Sequence, residues 1–295
     1  MASLFWLGFI LLGFFLFGGL PQEGNAGVPM HGPGAWRLQS WASFTIEEMA
    51  MKKAWILALL GLIWSGASQA GAVRYDIDGQ SFEGYYLAAG PKAPLVLLVH
   101  DWDGLTDYEV KRAEMLAALG YSVFAVDLYG VGVRPTAMEE KKKLTGALYQ
   151  DRPRMRKLLA GALAEAGKLG GRLDNTVALG YCFGGAAVLE LARSGADLKG
   201  VVSVHGGLET PAGQDYKQTK ASLLIQHGSA DQAVSLGQFA GLISELEIAG
   251  IKHEAISYGG APHAFSVFGS ENYRADADAK SWQRFTEFLG EVTKG

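Results

Sequence analysis

The single cysteine of the chain lies in a sequence context that favours nucleophilic chemistry. Cys182 is the central residue of Gly180-Tyr181-Cys182-Phe183-Gly184, which joins an apolar, partly β-branched segment to a segment rich in alanine, leucine and valine. The first segment is typical of a buried strand and the second of a helix. A Gly-x-nucleophile-x-Gly sequence at such a junction predicts a sharp turn that exposes the central side chain. The start of a helix also favours negative charge, and therefore a thiolate.

A nucleophile needs a base, and the base needs an acid that orients it. Asp231 follows one apolar strand and His263 follows the last predicted strand, so both lie where strands end, after Cys182 in the chain. Each of the three residues also has an ordinary interpretation. Cys182 could be a buried cysteine in a strand-helix turn, since the pattern is short, Asp231 a helix N-cap and His263 a loop histidine.

The elements that must position these residues alternate along the chain. Apolar segments predict strands at 95–99, 121–126, 200–204, 222–226 and 253–258, besides the strand that precedes Cys182. Helices are predicted between them, at 136–150, 154–169, 236–249 and within 271–292, and a capping box at Thr106 and Glu109 begins another. Asp78-Gly79 predicts an early hairpin. The alternation predicts a mostly parallel sheet with helices on both faces and a site at the carboxyl ends of the strands.

Composition and charge narrow the function classes. The chain has 295 residues, a formal net charge of −4 and no basic cluster, which argues against a nucleic-acid partner. One cysteine allows neither an intramolecular disulfide nor a cysteine zinc site, and no metal or cofactor is predicted. The loop His100-Asp101-Trp102-Asp103-Gly104 is not a glycine-rich phosphate-binding loop, which argues against a nucleotide-binding protein.

Residues 51–70 have the layout of a secretory signal peptide. Met51-Lys52-Lys53 is a basic start, residues 54–66 are apolar, and Ser68-Gln69-Ala70 is a small-x-small cleavage site. The alternative is a membrane anchor, but the apolar run is shorter than the roughly 20 residues that span a bilayer. We expect a mature domain of residues 71–295, periplasmic or secreted, without stable membrane association.

Residues 1–50 are interpreted as a non-structural extension that precedes the true start at Met51. The segment Leu4 to Leu20 is apolar and uncharged, so a membrane anchor is the alternative there. It lacks a basic start, however, and a complete signal follows it.

Several segments of this chain together resemble the dienelactone hydrolase family, within the α/β-hydrolase superfamily. The resemblance covers nearly all of residues 75–289 and rests on Val99-His100-Asp101-Trp102-Asp103-Gly104, Val126-Asp127-Leu128-Tyr129, Gly180-Tyr181-Cys182-Phe183-Gly184-Gly185, His227-Gly228-Ser229-Ala230-Asp231 and His263-Ala264-Phe265. The order nucleophile, acid, base is the one that α/β-hydrolases use. The resemblance implies that Cys182 is the nucleophile, His263 the base and Asp231 the orienting acid. It also implies an oxyanion hole made by the backbone N–H groups of Phe183 and Trp102.

The resemblance also indicates where this chain departs from the family prototype. Asp101 stands where the prototype has a glutamate that holds the thiol proton, so Asp101 is a candidate for gating the thiol. The prototype binds its substrate carboxylate with arginines, and the matching positions here are Val267 and, approximately, Gly146. Arg134 and Arg152 lie in the same region but do not match the spacing. The hydrolase chemistry is therefore better supported than the dienelactone substrate.

His205 and Tyr129 are further candidates, as residues that line the substrate pocket. The chain is interpreted as a cofactor-independent hydrolase of small-molecule carboxylic esters or lactones. The alternative is a catalytically silent binding protein of the same fold, which a probe for a reactive thiol would distinguish.

Overall fold

The computed structural model describes residues 70–294, which form one eight-stranded sheet with helices on both faces. The strands are β1 (Ala70–Ile77), β2 (Gln80–Leu87), β3 (Pro94–Val99), β4 (Ser122–Val126), β5 (Arg172–Tyr181), β6 (Gly200–Val204), β7 (Ser222–Gly228) and β8 (His253–Tyr258). The helices are α1 (Asp107–Ala118), α2 (Met138–Gln150), α3 (Arg152–Lys168), α4 (Phe183–Arg193), α5 (Leu236–Ala249) and α6 (Ala275–Thr293).

The strands lie in the order β1-β2-β4-β3-β5-β6-β7-β8. The predicted hairpin at Asp78-Gly79 joins β1 and β2, both turn residues having positive φ (52° and 75°). β2 is antiparallel to both β1 and β4, and all the other neighbouring strands are parallel. The prediction of a mostly parallel sheet with helices on both faces is therefore confirmed.

The central strands are buried on both faces, which explains why their sequences are continuously apolar. In β3, Leu95, Leu97 and Val99 face one hydrophobic cluster, with α3, α4 and α5, whereas Val96 and Leu98 face the other, with α1 and α6. The alternation within one strand follows from the two-residue period of side-chain direction. Helices therefore cover both faces of the sheet, and polar residues lie in the loops at the carboxyl ends of the strands.

Several boundaries differ from the sequence-based predictions. α3 begins at Arg152 rather than at residue 154, because Pro153 fits the first turn of a helix, where its missing N–H has no partner to lose. α6 begins at Ala275 rather than at residue 271. Residues 1–50 and the predicted signal peptide, except Ala70, lie outside the described residues. Within 70–294, no helix is long and apolar enough to cross a bilayer.

Candidate active site

Cys182 lies in the turn between β5 and α4, in a backbone conformation that is unusual for a residue with a side chain. Its φ is 51° and its ψ is −112°. The turn is so tight that a Cβ at position 180 would lie 2.0 Å from the Gly184 carbonyl oxygen. A Cβ at position 184 would lie 2.3 Å from the Val99 carbonyl oxygen. Only glycine fits at both positions, which is why the flanking glycines mark this turn in the sequence.

The structure brings Cys182, His263 and Asp231 together at the carboxyl edge of the sheet. His263 Nε2 lies 3.1 Å from Cys182 Sγ, and His263 Nδ1 lies 2.8 Å from Asp231 Oδ2. Asp231 follows β7 and His263 follows β8, so three parallel strands place the three side chains. This is the geometry in which an acid orients a base and the base takes a proton from a nucleophile.

Hydrogen bonds favour the charged forms of the acid and the base. Burial alone would raise the pKa of Asp231, but His263 and the backbone N–H groups of Val234 and Ala233, each 2.8 Å from Oδ1, hold this pKa below its usual value. Burial alone would lower the pKa of His263, but its hydrogen bonds to Asp231 and Cys182 outweigh burial and raise this pKa to about 10. The charged form of His263 places a positive charge 3.1 Å from Cys182 Sγ.

A cavity of about 540 Å³ opens onto Cys182 and His263. Its walls are largely apolar and aromatic, including Trp102, Tyr149, Phe183, Ala186, Leu208 and Val234. The volume lies within the range of small-molecule sites.

Trp102 and Phe183, the two predicted oxyanion-hole residues, both line this cavity. Phe183 is the first residue of α4, so its N–H has no partner within the helix. Throughout residues 70–294, neither of these two N–H groups donates a hydrogen bond. Both are therefore available to an oxyanion beside Cys182.

Asp101 also lines the cavity, close to a second buried carboxylate. Burial raises the pKa of Asp101 to about 6, although its hydrogen bond from the Asp103 N–H, at 2.8 Å, opposes the shift. Glu109 Oε1 accepts the Asp101 N–H at 3.4 Å, and burial together with the charge of Asp101 raises the pKa of Glu109 to about 8. Asp101 and Glu109 are therefore two neighbouring acids that hold a proton more readily than free carboxyl groups do.

The two candidate pocket residues lie behind the cavity wall rather than on it. His205 is fully buried, and its Nδ1 accepts the Cys182 N–H at 3.2 Å. The hydroxyl of Tyr129 donates to the Trp102 carbonyl at 3.2 Å, beneath the loop that carries the oxyanion donor. Neither residue is among those that line the cavity.

Two cavity residues were not predicted to line the site: Tyr149, and Arg152, which the sequence offered only as an arginine that does not match the family spacing. They come from the end of α2 and the start of α3, and the Arg152 guanidinium lies 5.0 Å from the centre of the Tyr149 ring. Arg152 also donates to Glu190 at 2.7 Å. Arg134 instead bonds to the carbonyls of Leu105 and Val133. Only the packing of α2 and α3 over the site reveals Tyr149 and Arg152.

Within the described part of the chain, no group of three or more histidine, cysteine, aspartate or glutamate residues is arranged to hold a metal ion.

Comparison with known proteins identifies a common family. Residues 82–293 match the model of the Dienelactone hydrolase family. A solved structure named m3DLH is 30% identical, with a TM-score of 0.73, and the match covers 78% of this chain and 100% of that chain. The dienelactone hydrolase-like promiscuous phosphotriesterase P91, from metagenomic libraries, is 29% identical, with a TM-score of 0.71 and coverage of 77% and 99%. An Escherichia coli K12 protein named "Putative carboxymethylenebutenolidase" is 24% identical over 235 residues, which cover 75% of this chain and 86% of the relative.

Proposed function

Because the chain belongs to the dienelactone hydrolase family and is a hydrolase of ester or lactone bonds, we propose that Cys182, His263 and Asp231 carry out the reaction without a cofactor. The observation that carries the proposal is the pair of contacts from Cys182 Sγ to His263 (3.1 Å) and from His263 to Asp231 (2.8 Å), at the floor of the cavity. The substrates are small-molecule carboxylic esters or lactones. The side chains named supply nucleophile, base and acid, so no group from outside the chain is needed for these steps.

The reaction follows from these positions in two halves. The Cys182 thiolate attacks the substrate carbonyl carbon, and the N–H groups of Phe183 and Trp102 bind the oxygen that becomes negative. The tetrahedral intermediate then expels the alkoxide, which takes the proton from His263 Nε2 and leaves a thioester on Cys182. Neutral His263 next removes a proton from water, and the resulting hydroxide attacks the thioester. The carboxylic acid departs and the thiolate reforms, while Asp231 keeps the imidazole oriented throughout.

Two measurements on Cys182 test this proposal. Cys182→Ala should abolish hydrolysis across a panel of neutral esters, lactones and thioesters while leaving the circular dichroism spectrum unchanged. A neutral phosphotriester belongs in the panel because P91 is named a promiscuous phosphotriesterase. Iodoacetamide should label Cys182 and inactivate the enzyme in parallel, with substrate slowing both. Full activity in Cys182→Ala would refute the mechanism, and an inert thiol in a protein that still binds ligands would favour the catalytically silent binding protein.

The same reagent tests whether Asp101 gates the thiol. If the Asp101 carboxylate holds the thiol proton in the free enzyme, labelling near neutral pH should be slow and Asp101→Ala should accelerate it. If Asp101 has only a structural role, the imidazole and the start of α4 should already make labelling fast, and Asp101→Ala should leave the rate unchanged.

We propose further that the protein is exported. The support is the basic, apolar and small-residue layout of residues 51–70. Cells that express the chain from Met51 should release a periplasmic or secreted product that begins at Gly71, and N-terminal sequencing of that product decides the point. A product that keeps residues 57–60 and sediments with membranes would rule out cleavage.

A further inference from the structure

His205 occupies a strained, fully buried position directly behind the nucleophile. Its φ is 39°, and its Nδ1 accepts the backbone N–H of Cys182 at 3.2 Å, an N–H that is shared with the Val204 carbonyl at 3.1 Å. A ring nitrogen that accepts carries no proton, so the proton of the neutral ring is on Nε2. Nε2 lies 2.8 Å from Ser266 Oγ and therefore donates to it. Burial holds the pKa of His205 well below its usual value, so the ring stays neutral and keeps this tautomer.

Ser266 is three residues after His263 in the loop that carries the base, and that loop is itself fixed. Ser266 Oγ lies 3.0 Å from the Tyr108 hydroxyl, and the Ser266 carbonyl accepts from Arg112 Nη2 at 2.8 Å. Arg112 is buried and pairs with Asp278 of α6. These hydrogen bonds therefore attach the loop at Ser266 to α1 and α6, two helices on one face of the sheet.

These contacts make His205 the link between the loop of the nucleophile and the loop of the base. Its ring also packs edge-on against the His263 ring, with centroids 5.4 Å apart. We propose that His205 is a positioning residue that keeps Cys182 Sγ and His263 Nε2 at reacting distance by joining the turn at Cys182 to the loop of residues 263–266. The inference rests on the proposed role of Cys182 as the nucleophile. It adds a residue that touches neither substrate nor the reacting atoms.

The experiment measures thiol reactivity, which needs no substrate. His205→Phe keeps a ring of similar size and removes both hydrogen-bonding nitrogens. We expect the rate of iodoacetamide labelling of Cys182 at pH 6 to fall about tenfold, as for the loss of one or two buried hydrogen bonds, and the labelling profile to move to higher pH. We expect kcat to fall by a similar factor with KM nearly unchanged, because His205 does not line the cavity.

Ser266→Ala provides a second variant that removes a single hydroxyl and hardly alters volume. It should move the labelling profile in the same direction by a smaller amount, and it decides the question if His205→Phe does not fold. The matched control is His227→Phe, a histidine that is equally buried, stacks on Phe239 and, in the structure described, has no hydrogen bond at either ring nitrogen. The control should leave the labelling profile unchanged.

The outcomes separate this inference from the proposed function. Fast labelling in the wild-type protein, with unchanged profiles in both His205→Phe and Ser266→Ala, would overturn the role of His205 and leave the nucleophile intact. Equal losses in His205→Phe and His227→Phe would show a general effect of altering the core and would also overturn it. A thiol no more reactive than free cysteine in both the wild-type protein and Asp101→Ala, together with full activity in Cys182→Ala, would overturn both proposals together.

Discussion

Two aspartates close to the catalytic histidine candidate, Asp231 and Asp101, have pKa values shifted in opposite directions. Asp231 and Asp101 both follow parallel strands and are almost equally buried, with 8% and 7% of their surface exposed. Asp231 accepts three hydrogen bonds, from the His263 ring and two backbone N–H groups, and its pKa is lowered. Asp101 accepts one hydrogen bond within the described residues, and its pKa is raised to about 6.

The difference shows that burial does not decide the charge of an acid at this site. Burial acts in the same direction on both carboxyl groups, toward the neutral form. Around Asp231 the hydrogen-bond donors outweigh burial, whereas around Asp101 one donor does not, and the Asp103 carboxylate adds a like charge nearby. The acid with the lowered pKa therefore lies behind the base, and the acid with the raised pKa lines the cavity.

The largest expected effect comes from removing the base that Asp231 orients. His263→Ala should lower kcat about a thousandfold or more, because the imidazole transfers protons in both half-reactions. Stopped-flow or steady-state measurement on a chromogenic ester provides the value. His253→Ala, which alters a half-buried histidine of β8 outside the cavity, is the control and should retain full activity. A loss below tenfold in His263→Ala would mean that another group acts as the base.

A smaller loss of kcat is expected when the charge of Asp231 is removed. Asp231→Asn keeps the size of the side chain but removes its charge, so the pKa of His263 should fall and kcat should decrease, though less than in His263→Ala. The pH profile of kcat/KM reports the shift. An unchanged profile would contradict the role assigned to the Asp231 carboxylate in holding the pKa of His263 high.

Asp101→Asn should increase stability rather than reduce it. The folded protein binds a proton at Asp101 more tightly than the unfolded chain does, so the folded state loses stability as pH rises from about 4 through the folded pKa of about 6. Removing the charge should therefore raise the free energy of unfolding by about 2–3 kcal/mol at pH 7.5 and by little at pH 4. Urea denaturation at both pH values checks this, with exposed Asp276→Asn as the control. A decrease at pH 7.5 would show that the charged form of Asp101 is favoured.

The smallest effect is expected for the charge of the substrate. The family resemblance predicts an arginine at the position of Val267, and the Arg152 guanidinium is already bonded to Glu190. A lactone acid and its neutral analogue should therefore differ by no more than about tenfold in kcat/KM. A charged contact with arginine would instead give roughly 10- to 100-fold preference. A hundredfold preference for the acid would mean that Arg152 or Arg134 binds the carboxylate.

The sequence predicted the parts of the site that depend on local structure. Cys182, Asp231 and His263 each follow a strand, and the carboxyl ends of parallel strands meet at one edge, so their proximity follows from the element order. Gly180 and Gly184 mark a turn in which a side chain would collide with the backbone. The fold was predictable for the same reason, since apolar runs and helical segments alternate along the chain.

The parts that depend on packing between elements were not predictable in this way. A histidine at the end of β6 could face the cavity or the interior, and the positive φ of His205, which turns it behind Cys182, has no signature in the sequence. Tyr149 and Arg152 line the cavity only because α2 and α3 lie over the sheet edge. The raised pKa of Glu109 likewise depends on its burial beside Asp101, whereas the sequence presents Glu109 as an ordinary helix-capping residue.

The turn at Cys182 restricts which side chains fit around it, but it does not require the central side chain to carry sulfur rather than oxygen. No side chain fits at positions 180 and 184, which lie two residues before and two residues after Cys182. The residue at position 182 needs only a single heavy atom beyond its Cβ to reach the cavity. Serine meets the same steric requirement as cysteine. An exchange of sulfur for oxygen at this position therefore alters one atom of the side chain and leaves the backbone of the turn unchanged.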